Sequence, residues 1–477
     1  MSSEKRVNIF PRTFWIANTL ELFERWAYYG MFTVLSVYLT DPISKGGLGF
    51  SQSERGIMQG VVTALLYLLP ILGGALADKY GYKKVLLSAF LTLSSGYYAM
   101  GYFSTYAAVF VSFLLVAIGG ALFKPIIVAT VSKTTNEKND TVGFGIFYMI
   151  VNIGGFIGPW AASKLREIDW VYVFIMCTVV ILFNIILLWF YKEPQRVEEK
   201  KESLSKSLKR IMTNTAIVLK DGRFVLFLLI MGCIWTMYMQ LFFTVPVYIT
   251  QWIDTTQLYN SLPAFLQPVF GKIENDIGII SPELMINIPA LTIITFQLIM
   301  SNFLKKVTPI MSMIFGILVI AFGFSFMSFS MAGVTILVGA VILAFGEMAS
   351  YPRIQEYIGR IAPRDKVALY MGYSFLPVAG GNLIGGLLSG SLYATLSDKY
   401  LFLTKYLSDK DIHFSSEISK DNGLLFKAAM DKLGMTHEEL NSLLFNQYNP
   451  GTIWYVFAAI GALTSILLFI YNRKTIR

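Results

Sequence analysis

Twelve mostly apolar runs of about twenty residues or more follow one another along this chain, and few folds can accommodate them. They occupy 13–40, 54–77, 84–103, 107–131, 142–165, 170–191, 224–250, 281–304, 309–329, 333–360, 367–394 and 451–472. A helix of about twenty residues crosses the apolar core of a bilayer. In lipid a helix is one of only two structures that satisfy every backbone polar group internally. Composition closes off the soluble alternative: charged residues make up 14% and hydrophobic residues 55%, whereas a soluble surface needs roughly 25% charged residues. The expected fold class is an all-α membrane protein with twelve transmembrane helices. The sixth and seventh runs are parted by a linker, 192–223, rich in Lys, Arg, Glu and Ser. It divides an N-terminal six-helix half, 1–191, from a C-terminal half, 224–477, which carries an outer insertion at 395–450.

The net charge of +9 is distributed in a way that argues against nucleic acid as a partner. Lys79, Lys83, Lys84, Lys133, Lys138, the 192–223 linker, Lys305, Lys306, Arg364, Lys366, Arg473, Lys474 and Arg477 fall in alternate gaps between runs. The intervening turns near 104–106 and 330–332 carry no charge. By the positive-inside rule both termini are expected in the cytoplasm of a multi-pass plasma-membrane protein, with a bacterial inner membrane the expected site. The first run is too long and too charged for a cleaved signal peptide, so it is expected to be the first span. Cys177 and Cys233 each lie inside an apolar run and are expected to be packing thiols rather than a disulfide framework. The two histidines, His413 and His437, lie in the outer insertion, and no metal-spaced cluster or nucleophile triad stands out. No metal, no cofactor and no enzyme activity are expected.

The insertion mixes both charge signs and carries a helix-capping pattern, Thr436-His-Glu-Glu439, ahead of Leu440, Leu443 and Leu444. A small helical cap over the outer mouth is expected; a packed loop and a gate are both open readings of it. Residues 251–280 are expected to form a shorter outer loop.

Ionisable residues at bilayer depth cost several kcal/mol, so those inside the runs need a reason. Glu21, Glu24 and Arg25 stand in the first run with Tyr28 and Tyr29 beyond them. Spacings of three and four put the three charges on one helix face. Lys124 stands in the fourth run just ahead of Pro125, and Glu347 in the tenth between Gly346 and Met348. An internal ion-pair network that fixes helix register is one reading. The other is a water-accessible pathway with cations from one half and an anion from the other. Arg25 and Lys124 suit a carboxylate and Glu347 an ammonium, so a zwitterion is the simplest matching ligand. Tyr28, Tyr29 and Tyr67 offer hydroxyls and ring faces, and Asn152 and Asn287 offer amides that can bond a peptide backbone.

The motif Glu21-Leu-Phe-Glu24-Arg25-Trp26-Ala-Tyr28-Tyr29-Gly30 resembles the ExxERFxYYG signature of the proton-dependent oligopeptide transporters of the major facilitator superfamily. Gly74-Ala-Leu-Ala-Asp78-Lys79-Tyr80-Gly81-Tyr82-Lys83-Lys84 resembles the general major-facilitator loop between helices two and three. Gly119-Gly-Ala-Leu-Phe-Lys124-Pro125, Phe147-Tyr148-Met-Ile-Val-Asn152-Ile-Gly154, Asn287-Ile-Pro289, Gly346-Glu347 with Pro352, Met371-Gly372 and Gly381-Asn382 resemble further family elements, in order. The resemblance implies a major facilitator fold and proton-coupled symport of di- and tripeptides by alternating access. It implies that Arg25 and Lys124 hold the peptide carboxylate and Glu347 the amino terminus. Tyr28, Tyr29, Tyr67, Asn152 and Asn287 would line the site, Glu21 and Glu24 would couple protons, and Asp78 and Lys79 would gate. Small peptides, protons and lipid are the implied partners, and a monomer is expected.

The sequence also departs from the family. Trp26 replaces the usual Phe, and Met239 in Trp235-Thr-Met-Tyr238-Met239-Gln240 stands where an acid is common. Tyr351-Pro352-Arg353-Ile-Gln-Glu356 replaces Ser-Pro-x-Gly-Leu-Ser, and Ser374 stands where a cavity Trp is usual. The linker is too polar to supply the two extra helices of many bacterial members. The alternatives are a same-family transporter of a modified peptide, an amino-acid conjugate or a small anion with altered proton coupling, and a nutrient receptor that binds without transporting.

Overall fold

The computed structural model describes residues 10–136, 139–194, 204–274, 276–364 and 366–475. Lys138, Arg477 and the linker stretch 195–203 lie outside the described residues. Two compact units emerge: Met1–Met31 with Leu65–Thr215, and Phe32–Ala64 with Ala216–Arg477.

The first helices are α1 (Arg12–Thr40), α2 (Gln52–Leu68), α3 (Pro70–Tyr80), α4 (Tyr82–Tyr102), α5 (Tyr106–Thr134), α6 (Asp140–Arg166) and α7 (Trp170–Phe190). Between α2 and α3 the chain bends by 42°, where Pro70 supplies no amide hydrogen for the helical ladder. α7 begins where Asp169 accepts a hydrogen bond from the Val171 amide at 2.9 Å. On α7, Val179, Leu182 and Ile186 lie exposed along one side. An apolar stripe of that kind suits lipid, not water.

Within the first unit the contact of α6 with α1 depends on glycine. A Cβ at Gly154 would lie 2.7 Å from the Leu22 carbonyl oxygen, and one at Gly158 would lie 2.4 Å from that of Trp26. Two backbones therefore touch, which brings α6 against the stretch of α1 that carries the charges. Gly158→Val is expected to destabilise the protein by about 1–3 kcal/mol through forced separation of packed backbones. Gly145 on the same helix has open space around it, so Gly145→Ala should be neutral or slightly stabilising. Thermal unfolding of both variants in detergent checks this, and equal melting temperatures would refute it.

α8 (Leu204–Leu219) lies within the linker expected at 192–223. The second unit continues with α9 (Gly222–Tyr238), α10 (Gln240–Phe243), α11 (Val245–Trp252), α12 (Thr256–Ser261) and α13 (Gln267–Phe270). The outer loop expected at 251–280 also holds an antiparallel hairpin, β1 (Lys272–Glu274) with β2 (Ile277–Ile279). Then come α14 (Pro282–Ile286), α15 (Ile288–Leu304), α16 (Pro309–Phe326), α17 (Gly333–Ile361), α18 (Val367–Gly372) and α19 (Leu376–Leu396). The seventh run is broken at Met239 and Thr244, and the eighth at Asn287, with Pro246 and Pro289 in the first turn after the breaks. The unit's core is aromatic as well as aliphatic. Trp454 is wholly buried and stacks on Phe324 with ring centroids 5.7 Å apart.

The insertion at 395–450 is helical: α20 (Lys399–Asp409), α21 (Ser416–Lys420), α22 (Asn422–Leu433) and α23 (His437–Tyr448), before α24 (Thr452–Thr475). The capping box at Thr436 is made. Its hydroxyl accepts from the Glu439 amide at 3.3 Å, and the Glu439 carboxylate accepts from the Thr436 amide at 2.8 Å. Leu440 and Leu444 are wholly buried.

Helix stands at every one of the twelve apolar runs. By length and apolarity alone, eight helical stretches among the described residues qualify as membrane spans, and α2 with α3 qualifies as a bent ninth. In α1 the apolar stretch is interrupted by Glu21, Glu24 and Arg25, and the break at Asn287 leaves α15 with 17 residues. The molecule is an all-α membrane protein.

Candidate functional site

In the first unit the charges of α1 are drawn into one cluster. Glu21, Glu24 and Arg25 are all buried, with exposures of 5%, 1% and 5%. Arg25 Nε donates to Glu24 Oε2 at 2.5 Å and lies 3.3 Å from Glu21 Oε1. The guanidinium carbon sits 5.0 Å from the centre of the Tyr28 ring and 5.8 Å from that of Tyr29. One guanidinium thus faces two carboxylates. Neighbouring helices hold α1 in this position: Asn184 donates to the Leu20 carbonyl at 3.1 Å and Cys177 to the Ala27 carbonyl at 3.2 Å, both from α7.

Lys124, on α5, joins the cluster through rings. Its ammonium lies 5.0 Å from the centre of Tyr67 and 5.9 Å from that of Tyr28. Among the described residues it makes no ion pair and no hydrogen bond. It feels the charges of Glu21 and Glu24 without bonding either, and a half-buried cation whose direct contacts are ring faces retains its capacity to bind an anion. The structure therefore brings Glu21, Glu24, Arg25, Tyr28, Tyr29, Tyr67 and Lys124 together. Asn152 is half-buried on α6, and its amide nitrogen donates to the Tyr148 carbonyl one turn back at 2.8 Å. Asp78 and Lys79 lie at the end of α3, both exposed, with the Lys79 ammonium 4.8 Å from the Tyr80 ring centre.

The second unit holds the opposite charge. Glu347 Oε1, on α17, accepts from the Tyr238 hydroxyl at 3.2 Å, while Oε2 is buried with no hydrogen-bond partner among the described residues. An unmet buried carboxylate oxygen is a costly group that a cationic donor would satisfy. The tyrosine that bonds this acid belongs to a cluster of three rings. Trp235 stacks on Tyr351 at 5.0 Å, and Tyr238 meets the edge of Tyr351 at 4.9 Å and of Trp235 at 5.7 Å. Tyr351, one of the departures noted in the sequence, thus packs against the tyrosine that bonds Glu347. Asn287 stands at the break between α14 and α15, nearly buried, and its amide nitrogen has no partner among the described residues. Met239, at the break after α9, is buried.

Sequence reasoning missed Arg55. Wholly buried on α2, it donates to Gln52 Oε1 at 3.0 Å, Gln59 Oε1 at 3.3 Å, the Phe243 carbonyl, and Ser389 Oγ at 3.0 Å. A charge at the edge of an apolar run reads as an interfacial residue, so its partners on α10 and α19 left no local trace. Asn382 on α19, quoted only within a motif, is wholly buried with neither polar side-chain atom bonded among the described residues.

Comparison with known proteins bears on the family and the fold. The Major Facilitator Superfamily family model matches residues 14–277. The chain is 31% identical over 160 residues to the Bacillus subtilis (strain 168) protein named uncharacterized transporter YclF, covering 33% of this chain and 32% of that protein. It is 32% identical over 187 residues to dipeptide and tripeptide permease A of Escherichia coli (strain K12), covering 37% and 35% of the two chains. The matches span about a third of the length of these curated relatives. Among solved structures, a POT family transporter in complex with a thioalcohol-conjugated peptide matches with a TM-score of 0.68 at 17% identity, over 97% of this chain and 96% of that one. A point mutant of the nucleoside transporter NupG matches with a TM-score of 0.71 at 13% identity, over 96% and 100%. These structural likenesses concern the fold.

Proposed function

The chain belongs to the major facilitator superfamily, a family of transporters and not of enzymes, and from that premise we propose that it is a symporter of di- and tripeptides driven by protons. The observation that carries this reading is the placement of unmet charges. Lys124 feels the charges of Glu21 and Glu24 but makes no direct ion pair among the described residues, and Glu347 keeps one buried carboxylate oxygen unbonded. A short peptide presents a carboxylate suited to Lys124 and Arg25 and an ammonium suited to Glu347. Tyr28, Tyr29, Tyr67, Asn152 and Asn287 take the groups between. The similarity to proteins named dipeptide and tripeptide permease supports the same cargo.

Coupling follows from the α1 cluster. Protonating Glu21 or Glu24 weakens its hold on Arg25 and frees the guanidinium for substrate. Alternating exposure of the site completes the cycle, with Asp78 and Lys79 acting at the cytoplasmic gate. The working unit is a monomer, with both termini in the cytoplasm.

Uptake of labelled dialanine and trialanine into proteoliposomes tests this. Accumulation under an inward proton gradient, collapsing with a protonophore, is the expected result. Binding or exchange without accumulation would remove the proton coupling, and no interaction with either peptide in folded protein would remove the cargo. Met239 and the Tyr351 ring favour a second reading, a related zwitterion such as a modified peptide with altered coupling. Competition against labelled dialanine discriminates between the two.

A further inference from the structure

The insertion at 395–450 is joined to the rest of the second unit by bonds of different character. Asp398 accepts a side-chain hydrogen bond from buried Gln52, the first residue of α2, next to the α1–α2 turn. Two further sets of bonds differ in exposure. One set is buried. Trp252 Nε1 donates to the Ser397 carbonyl at 2.7 Å, and Ser397 Oγ to the Pro450 carbonyl at 2.6 Å. Lys399 Nζ donates to the Gln251 carbonyl at 3.2 Å, and the Lys399 amide to Gln251 Oε1 at 3.1 Å. These fasten α20 to α11 and to the start of α24.

The other set is exposed and rests on one carboxylate. Asp421 Oδ1 accepts from the Gly423 amide at 2.8 Å and the Leu424 amide at 2.9 Å, capping α22. The same carboxylate reaches the short turn between α1 and α2. Oδ1 accepts from the Ser44 hydroxyl at 2.6 Å, and Oδ2 from the Ser44 amide at 2.8 Å. The approach is close, for a Cβ at Gly423 would lie 2.4 Å from Ser44 Oγ. Partial burial works against the Asp421 carboxylate, but the donors from Ser44, Leu424 and Gly423 outweigh it and hold the carboxyl below its ordinary range. The bonds to Ser44 are thus charge-assisted.

Beneath the turn, α2 lies backbone to backbone on α19. A Cβ at Gly56 would come within 2.4 Å of the Gly386 carbonyl oxygen, and one at Gly386 within 2.4 Å of Gly60 Cα. Arg55 ties the same stretch to Phe243 and Ser389. Residues 32–64 therefore pack with the second unit, yet α1 runs into them from the first unit as one unbroken helix.

We propose that the insertion is a clasp: anchored on α11 and α24, it grips the α1–α2 turn through Asp421 and must let go of Ser44 for the transporter to complete its cycle. The asymmetry of its two attachments supports this. Buried hydrogen bonds are expensive to break, whereas exposed ones exchange with water at little net cost, so the Ser44 side is the one that releases. The transport part of the proposal rests on the function proposed above; the grip itself does not.

Two measurements test it. Hydrogen exchange of 41–51 in the full-length protein should rise about tenfold or more in Asp421→Ala and in Ser44→Ala. Exchange in α4 and α5 should stay unchanged. Ser44→Ala leaves the α22 cap in place, so exchange across 422–433 should move only in Asp421→Ala. Unchanged exchange of the turn in both variants would overturn the grip, whatever the cargo. In the second measurement, Ser44→Cys with Asp421→Cys is bridged by oxidation or a short bifunctional maleimide. Gradient-driven dialanine uptake should fall at least tenfold when bridged, and reduction of the disulfide should restore it. Unimpaired uptake in the bridged protein would overturn the release step. Absence of uptake in wild type would fall on the proposed function instead, leaving the exchange result to decide the clasp.

Discussion

Lys124→Ala and Glu347→Gln should each lower gradient-driven uptake of dialanine by about 30-fold or more, the effect of removing one partner from a desolvated charge pair at about 2–5 kcal/mol. Neither change should unfold the protein. Lys124 contacts the rings of Tyr67 and Tyr28 and makes no direct ion pair among the described residues, while Arg25 keeps Glu21 and Glu24 paired when Lys124 is lost. Glu347→Gln keeps shape and an acceptor for the Tyr238 hydroxyl while removing the charge. The assignment of ends can be checked with modified peptides. N-acetyl-dialanine should be a poor substrate of the wild type and should suffer little further in Glu347→Gln. Dialanine amide should behave in the same way toward Lys124→Ala. Such non-additivity identifies groups that meet. Additive losses, or uptake within threefold of wild type in either variant, would detach these residues from the substrate.

Arg55→Met should cost about 3 kcal/mol of stability, more than an exposed arginine could, because burial without the guanidinium leaves several acceptors unmet. The acceptors are Gln52 Oε1, Gln59 Oε1, Ser389 Oγ and the Phe243 carbonyl, and among the described residues no acid is paired with this arginine. Gln59 in turn exchanges hydrogen bonds with Ser36 on α1, at 3.1 and 2.9 Å. One side chain therefore joins α2, α10 and α19 and, through Gln59, α1. Arg55→Lys should recover only part of the loss, since an ammonium cannot match the planar fork. Apparent melting temperatures in detergent and hydrogen exchange across 52–60 measure both effects. A change below about 0.5 kcal/mol, the size expected of a surface site, would show that the network is dispensable.

The legible part of this molecule was the part governed by local rules. Apolar runs of bilayer length became helices because a backbone in lipid has nowhere else to place its hydrogen bonds. Spacings of three and four put Glu21, Glu24 and Arg25 together, since α1 itself supplies the proximity. The capping box at Thr436 and Glu439 is equally local, closing within one helical turn. The breaks are not legible in the sequence: 224–250 and 281–304 each read as one apolar run, yet the helices stop at Met239, Thr244 and Asn287 and restart with Pro246 and Pro289 in their first turns.

Sequence alone thus determined the helices at the apolar runs, the charges within α1 and the helix start at Thr436, because each depends on residues within a few positions or on the solvent a whole segment must meet. Tertiary structure alone decided which of those charges is left unmet. Lys124 contacts the rings of Tyr67 and Tyr28 without bonding an acid, Glu347 meets Tyr238 on one oxygen only, and Arg55 is hydrogen-bonded to neutral groups on α2, α10 and α19. Asp421 likewise reaches Ser44 across 377 positions of chain. Whether a buried charge is paired depends on the groups that neighbouring helices bring within a few ångströms of it. No periodicity along one helix encodes the rotation and depth at which another helix packs.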